Sequence, residues 1–98
     1  MNEKISPSDW IWVVIGKKGQ AETMFGIHDA ENDVHFIPIF KTKDEGLGCL
    51  PRLSQVGDLT YELQATRFET VQTAANEKTY YIYMLGSLGE ILHKIPPE

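Results

Sequence analysis

Two segments of the sequence are apolar on both alternating sides, and they constrain the fold more than any other feature. Residues 10–15 are WIWVVI and residues 79–85 are TYYIYML, with no charged residue in either segment. Successive side chains of a strand point to opposite faces of its sheet, so both faces of these strands are apolar. Strands of this kind are normally covered on both faces. We therefore expect both faces of these two strands to be covered.

The spacing of apolar residues predicts the order of the remaining elements. We expect strands at 10–15, 23–28 and 34–41, a helix beginning at Thr42, a strand at 61–65, a helix at 66–78, and strands at 79–85 and 90–94. The order β-β-β-α-β-α-β-β indicates one α+β domain over residues 1–98, with about six strands in a mixed, mainly antiparallel sheet. We place both helices on one face, and we expect residues 1–8 and 95–98 to be loose ends.

Both helices carry the same signature at their beginning. Thr42 precedes Glu45 by three residues, and Thr66 precedes Glu69 by three residues. In this capping box, the hydroxyl and the carboxylate accept hydrogen bonds from backbone amides of the first turn. Glycines within the first helix and Pro51 near its end predict that it is short.

Charge and length exclude two classes of partner. The chain has 9 basic and 14 acidic residues, a net charge of −5, and no cluster of basic residues that could neutralise nucleic-acid phosphates. Its longest apolar run, residues 10–15, is far shorter than the roughly 20 residues that cross a bilayer. A single cysteine excludes an internal disulfide and is typical of a reducing compartment. We expect a cytoplasmic protein that binds neither nucleic acid nor membrane.

One hairpin gathers residue types that can bind metals. His28, Asp29, Glu31, Asp33 and His35 lie on both sides of a predicted turn. Imidazole and carboxylate groups hold zinc or manganese. Acidic residues are equally typical of solvated turns, so the sequence leaves both interpretations open and we assign no metal ligand.

No constellation of catalytic residues stands out along the chain. Cys49 is flanked by glycine and leucine and has no histidine base nearby, which favours a structural thiol. Residues 16–19, GKKG, lack the spacing of a phosphate-binding loop. We assign no catalytic or cofactor-binding residue, and the sequence favours a non-catalytic domain without a cofactor.

The aromatic residues of the two apolar strands suggest an interface. If both helices cover one face, then Trp10, Trp12, Tyr81 and Tyr83 lie on strands whose other face is uncovered. An exposed aromatic patch of this kind is typical of a protein interface. The leading hypothesis is a small interaction or regulatory domain that works through a protein partner or through its own oligomer, most simply a dimer.

A small-ligand pocket is the alternative hypothesis. Trp12, Tyr81, Tyr83 and His28 would line it, in a binding protein or a minor enzyme. A deep pocket with convergent polar groups would favour this alternative, whereas a flat apolar patch would favour the interface.

One segment also resembles a known family. Residues 36–45, FIPIFKTKDE, form a predicted strand that ends in phenylalanine and leads into a capped acidic helix. This segment resembles the N-terminal domain of SseB-type proteins, and the likeness extends over residues 36–92. The resemblance implies a small regulatory or interaction domain, and it assigns no catalytic residues.

Overall fold

A computed structural model describes residues 5–24, 26–52 and 60–98 of the chain. Within these residues there are seven strands and two α-helices in one mixed, mostly antiparallel sheet domain, which confirms the predicted α+β class. The strands are β1 (Trp10–Lys18), β2 (Ala21–Met24), β3 (Ile27–Asp29), β4 (Val34–Phe40), β5 (Thr60–Arg67), β6 (Tyr81–Leu85) and β7 (Ile91–Ile95). The helices are α1 (Lys43–Cys49), which a 3₁₀ turn at Leu50–Arg52 follows, and α2 (Phe68–Lys78). The predicted strand at 23–28 is divided into β2 and β3.

β1 and β4 lie in the middle of the sheet. β1 pairs antiparallel with β5 along almost its whole length, and on shorter stretches with β2 and β4. β4 pairs antiparallel with β3 and parallel with β6, and β6 pairs antiparallel with β7. The two segments that are apolar on both sides are therefore interior strands, with a neighbouring strand at each edge.

The two helices lie on opposite faces of this sheet, so the prediction of both on one face is wrong. On one face, α2 packs through Phe68, Val71 and Ala75 against alternate residues of β1, β4 and β6. On the other face, Cys49 of α1 packs into a second cluster that contains Phe40 of β4. Each face of the central strands is thus covered by its own helix.

The direction of the crossovers explains this arrangement. β4, β5 and β6 run the same way, because β1 is antiparallel to β4 and β5, and β6 is parallel to β4. The chain crosses from β4 to β5 through α1, and then returns in the opposite direction from β5 to β6 through α2. Crossovers between parallel strands are right-handed almost without exception. Two right-handed crossovers in opposite directions must pass over opposite faces.

The predicted cap by the Thr42 hydroxyl at the start of α1 is confirmed. The Thr42 hydroxyl accepts a hydrogen bond from the Glu45 amide at 3.2 Å and donates one to Glu45 Oε1 at 3.1 Å. The helix is short, as its glycines predict. Gly46 also has a packing role, since a Cβ at this position would lie 2.9 Å from Leu63 and 3.2 Å from Phe40. The glycine lets α1 approach the sheet closely.

The predicted cap of α2 at Thr66 is wrong. Thr66 belongs to β5, where it stands opposite Ile11 in the ladder. Arg67 precedes the helix and makes no side-chain cap hydrogen bond. The pairing of β5 with β1 continues to Arg67, so Thr66 still belongs to the strand and the helix begins at Phe68, one residue later than a cap at Thr66 predicts.

Backbone carbonyls of the N-terminal segment take over the capping of α2. The amides of Phe68 and Glu69 donate to the carbonyls of Asp9 and Pro7, both at 2.9 Å. The Arg67 side chain donates to the carbonyl of Ser8 at 2.9 Å. Residues 7–9 are therefore tied to α2 rather than loose; residues 1–4 lie outside the described residues.

The C-terminal end is also held by contacts, in contrast to the loose end that we expected. Ile95 belongs to β7, stands opposite Ile82 and packs against the core beneath α2. The Glu98 amide donates to Asn76 Oδ1 on α2 at 3.1 Å. Neither described helix is long and apolar enough to cross a membrane.

The different caps of α1 and α2 predict that loss of the threonine hydroxyl destabilises the protein more at Thr42 than at Thr66. Thr42→Val should lower the free energy of unfolding by about 1 kcal/mol, because valine cannot accept the first-turn hydrogen bond. Thr66→Val keeps the β-branched shape and should change this free energy by less than about 0.5 kcal/mol. Urea denaturation of the two variants measures the difference. Equal losses would show that the Thr66 hydroxyl also supports α2.

Candidate functional site

An open pocket of about 640 Å³ lies on the face that α1 covers. Its walls come from β3 and the loop that follows, from the end of α1, and from the β6–β7 hairpin. The lining residues are Ile27, His28, Asp29, Ala30, Glu31, Asn32, Phe36, Cys49, Tyr83, Leu85, Leu88, Gly89, Ile91 and Lys94. Apolar and aromatic side chains thus share the pocket with several charged and hydrogen-bonding groups.

Two stacked aromatic rings line the inner part of the pocket. Phe36 of β4 and Tyr83 of β6 have ring centroids 4.2 Å apart and an interplanar angle of 10°. Tyr83 is only 1% exposed. Lys94 stands opposite Tyr83 in the β6–β7 ladder, with its Nζ atom 5.5 Å from the centre of that ring. Strand register therefore places a cation beside a buried aromatic surface.

A hydrogen bond fastens the β3–β4 loop to the sheet. The Tyr83 hydroxyl donates to Asp29 Oδ2 at 2.8 Å, across 54 residues of sequence. Asp29 Oδ2 also accepts from Asn32 Nδ2 at 2.8 Å, while Oδ1 accepts from the amides of Glu31 and Asn32. The carboxylate thus organises its own loop and holds that loop over Tyr83.

The same contacts shift the pKa of both partners. Hydrogen bonds from the side chains of Asn32 and Tyr83 lower the pKa of Asp29 to about 2. Burial, together with the hydrogen bond to Asp29, raises the pKa of Tyr83 to about 12. The pair is therefore held as a carboxylate and a neutral phenol across the whole neutral range.

The four aromatic residues of the predicted interface do not form one exposed patch. Tyr83 is buried, and Trp12 and Tyr81 are half-buried in the cluster beneath α1. Trp10 is 61% exposed, and the Arg67 guanidinium lies 4.6 Å from its ring centre. The face that we expected to be uncovered carries α1, which accounts for the burial.

Two of the four residues predicted to line a pocket do line it. Tyr83 and His28 contribute to the cavity wall, whereas Trp12 and Tyr81 are not among its lining residues. Sequence reasoning missed Phe36, Leu85 and Lys94. The alternation of side chains along β6 and β7 could have indicated that Leu85 and Lys94 share a face with Tyr83. The sequence does not give the register of β7 against β6, which this inference needs.

Apolar side chains are exposed on the elements that border this pocket. Of the described large apolar residues, Leu47, Leu88, Ile91 and Leu92 are about half exposed or more, and Leu88 and Ile91 also line the cavity. Gly48 lets α1 pack against the hairpin turn, because a Cβ there would lie 3.0 Å from Ser87 Cβ. We refer to Leu47, Leu88, Ile91 and Leu92 as the rim patch.

The hairpin considered for metal binding is organised by other contacts. His28 Nε2 lies 3.0 Å from Asp33 Oδ1, and the His28 ring stands beside His35 with centroids 4.8 Å apart. Asp29 is engaged with its own loop and with Tyr83. In the part of the chain that the structure describes, no three His, Cys, Asp or Glu side chains are arranged to hold a metal ion.

Cys49 lies at the inner end of the pocket and is 1% exposed. It forms no disulfide and packs in the same cluster as Phe40 and Tyr83. This environment is that of a small buried side chain, in agreement with the structural thiol expected from its sequence context.

Comparison of the chain with protein-family models, with curated proteins and with solved structures finds no match. The resemblance to SseB-type proteins therefore stays a prediction. The function has to be inferred from the pocket and its surroundings.

The Asp29–Tyr83 contact predicts how the pocket responds to pH. Tyr83→Phe removes one donor and should raise the pKa of Asp29, while the hydrogen bonds from Asn32 keep it below the ordinary value of 3.8. Tyr81→Phe, in the same strand but not bonded to Asp29, is the matched control. NMR titration of the Asp29 carboxyl carbon measures both.

The same shifts set the expected pH dependence of stability. The pKa of Asp29 is lower in the folded than in the unfolded chain. Its contribution to the free energy of unfolding is therefore present above pH 3.8 and is lost as pH falls towards 2. The pKa of Tyr83 is higher in the folded chain, so its contribution is present below pH 10.0 and is lost as pH rises towards 12. If Tyr83→Phe left the pKa of Asp29 unchanged, the hydrogen bond from Tyr83 would not be a cause of the lowered Asp29 pKa.

Proposed function

We propose that this protein is a small-ligand-binding domain and that the pocket beside Tyr83 is its binding site. The observation that carries the proposal is the convergence of stacked aromatic rings, aliphatic side chains and charged groups on one cavity. A volume of about 640 Å³ lies within the range of roughly 300–1,000 Å³ that small-molecule sites occupy. Concave sites with an apolar lining and a few placed polar groups are the usual sites of small-molecule binding.

The fixed loop adds support for this proposal. A binding site retains more affinity when its walls are ordered before the ligand arrives, because less entropy is then lost on binding. Asp29 holds the β3–β4 loop through four hydrogen bonds, one of them from the sheet itself. The proposal keeps the cytoplasmic location and the non-catalytic, regulatory role that the sequence predicts.

Titration with apolar probes tests the pocket. We expect at least one of 4-phenylbutyrate, 4-phenylbutanol and 4-phenylbutylamine to shift the backbone amide signals of Asp29, Gly89 and Ile91 in ¹H–¹⁵N spectra. Ile91→Trp places a larger side chain at the cavity wall and should abolish these shifts. Leu92→Trp adds the same side chain at the neighbouring position, which does not line the cavity, and should preserve them.

Two results would contradict a ligand-binding function. The first is the absence of shifts with all three probes at millimolar concentration. The second is that the shifts persist equally in both tryptophan variants, because that would show adsorption to the surface rather than occupation of the cavity.

Self-association is the second candidate function, and the rim patch favours it. Two of its members, Ile91 and Leu92, lie on β7, which in residues 5–24, 26–52 and 60–98 pairs only with β6. A strand with an unpaired edge and exposed apolar side chains is suited to pairing with a second copy. We expect light scattering to detect a dimer that Leu92→Glu dissociates and that Glu77→Ala on α2 leaves intact. A monomer at high micromolar concentration would exclude it.

A further inference from the structure

Most polar groups that line the pocket are already paired within the chain. Asp29 accepts four hydrogen bonds, which is about the full capacity of a carboxylate. Asn32 and Tyr83 are two of its donors, and His28 is paired with Asp33. These groups shape the walls, and Asp29 has no acceptor site left for a ligand.

Lys94 differs from these groups, because among the described residues its ammonium group has no anionic partner. In the described part of the chain no carboxylate lies within 4.0 Å of Lys94 Nζ, whereas Lys17 is paired with both Glu22 and Glu62. The ammonium lies 5.5 Å from the Tyr83 ring centre. The three N–H donors of this group are available at the cavity wall, beside an aromatic ring.

The remaining charged group of the pocket is Glu31. Glu31 on the β3–β4 loop and Lys94 on β7 are both exposed, but in the described part of the chain only Lys94 has its charge over an aromatic ring of the pocket, that of Tyr83. Water screens both charges, so the charge that lies against the apolar wall has the greater effect on a ligand inside the pocket. The cation beside Tyr83, Leu85 and Ile91 is therefore the charge that a ligand with an apolar body meets.

We infer that the pocket takes a small apolar carboxylate, with its apolar part against Phe36, Tyr83 and Leu85 and its carboxylate on Lys94. This inference rests on the proposed ligand-binding function and specifies the chemical class of the ligand. A hydrogen bond between an ammonium and a carboxylate is stronger than one between neutral groups, and Lys94 places such an ammonium beside the Tyr83 ring. An amine of the same shape finds no open carboxylate acceptor at Asp29.

Three probes that differ only in their head group test the class of ligand. At pH 7, 4-phenylbutyrate should bind with a Kd up to about fivefold lower than that of 4-phenylbutanol, as expected for an ion pair with an exposed ammonium group. The amine 4-phenylbutylamine should bind no better than the alcohol. Titration of amide shifts by NMR measures all three Kd values.

Substitutions at Lys94 assign the preference to its charge. Lys94→Met keeps a side chain of similar length and should bring the Kd values of the carboxylate and the alcohol together. Lys94→Arg keeps the positive charge and should retain the preference. Lys78→Met is the matched control, since Lys78 also lies over a tyrosine ring, that of Tyr80 at 5.8 Å, but outside the pocket.

The outcomes separate this inference from the function on which it rests. Equal Kd values for all three probes in the wild-type protein would preserve a ligand-binding pocket and overturn its preference for a carboxylate. Tightest binding of the amine, or a carboxylate preference that survives Lys94→Met, would also overturn it. Failure of every probe to shift the pocket amides would overturn both the inference and the proposed function.

Discussion

The structure depends on the need to cover both faces of its central strands. β1, β4 and β6 present apolar side chains alternately to each face, and residues such as Val13, Val14 and Ile39 are almost completely buried. Full burial of one such side chain contributes about 1.5–3 kcal/mol, so neither face can be left to solvent without a large loss of stability. The chain meets this requirement with one crossover helix on each face, and the remaining features follow from the difference between these two helices.

The two helices differ in length, and the pocket lies on the face of the sheet that the shorter helix covers. α2 has 11 residues and buries a regular stripe through Phe68, Val71 and Ala75. α1 has only 7 residues and contributes Gly46 and Cys49 as its buried positions. A helix rises 1.5 Å per residue, so α1 spans about 10 Å of a sheet several strands wide. The β3–β4 loop and the β6–β7 hairpin border the rest of that face, and the cavity is the space between them.

The sequence predicts those elements whose determinants are local. Alternation located the central strands, the apolar stripe located α2, and the capping signature at Thr42 located the start of α1. Thr66 carries the same signature but does not cap α2, because the first-turn amides donate to the carbonyls of Pro7 and Asp9, about 60 positions earlier in the chain. The helices were placed on one face because their number was considered without the direction of each crossover. The full lining of the pocket could not be predicted, since the Asp29–Tyr83 contact depends on the register of strands distant in sequence.

The glycines of α1 connect its stability to the existence of the pocket. Glycine within a helix costs about 0.5–1 kcal/mol relative to alanine, so Gly46 and Gly48 weaken an already short helix. Both nevertheless stand where a Cβ would crowd a neighbour, at Leu63 for Gly46 and at Ser87 for Gly48. Close packing at these two points holds α1 against the sheet and against the β6–β7 turn. A longer helix with larger side chains would cover this face more completely, but it would also fill the space beside Tyr83. The short helix therefore combines a covered core with an open cavity.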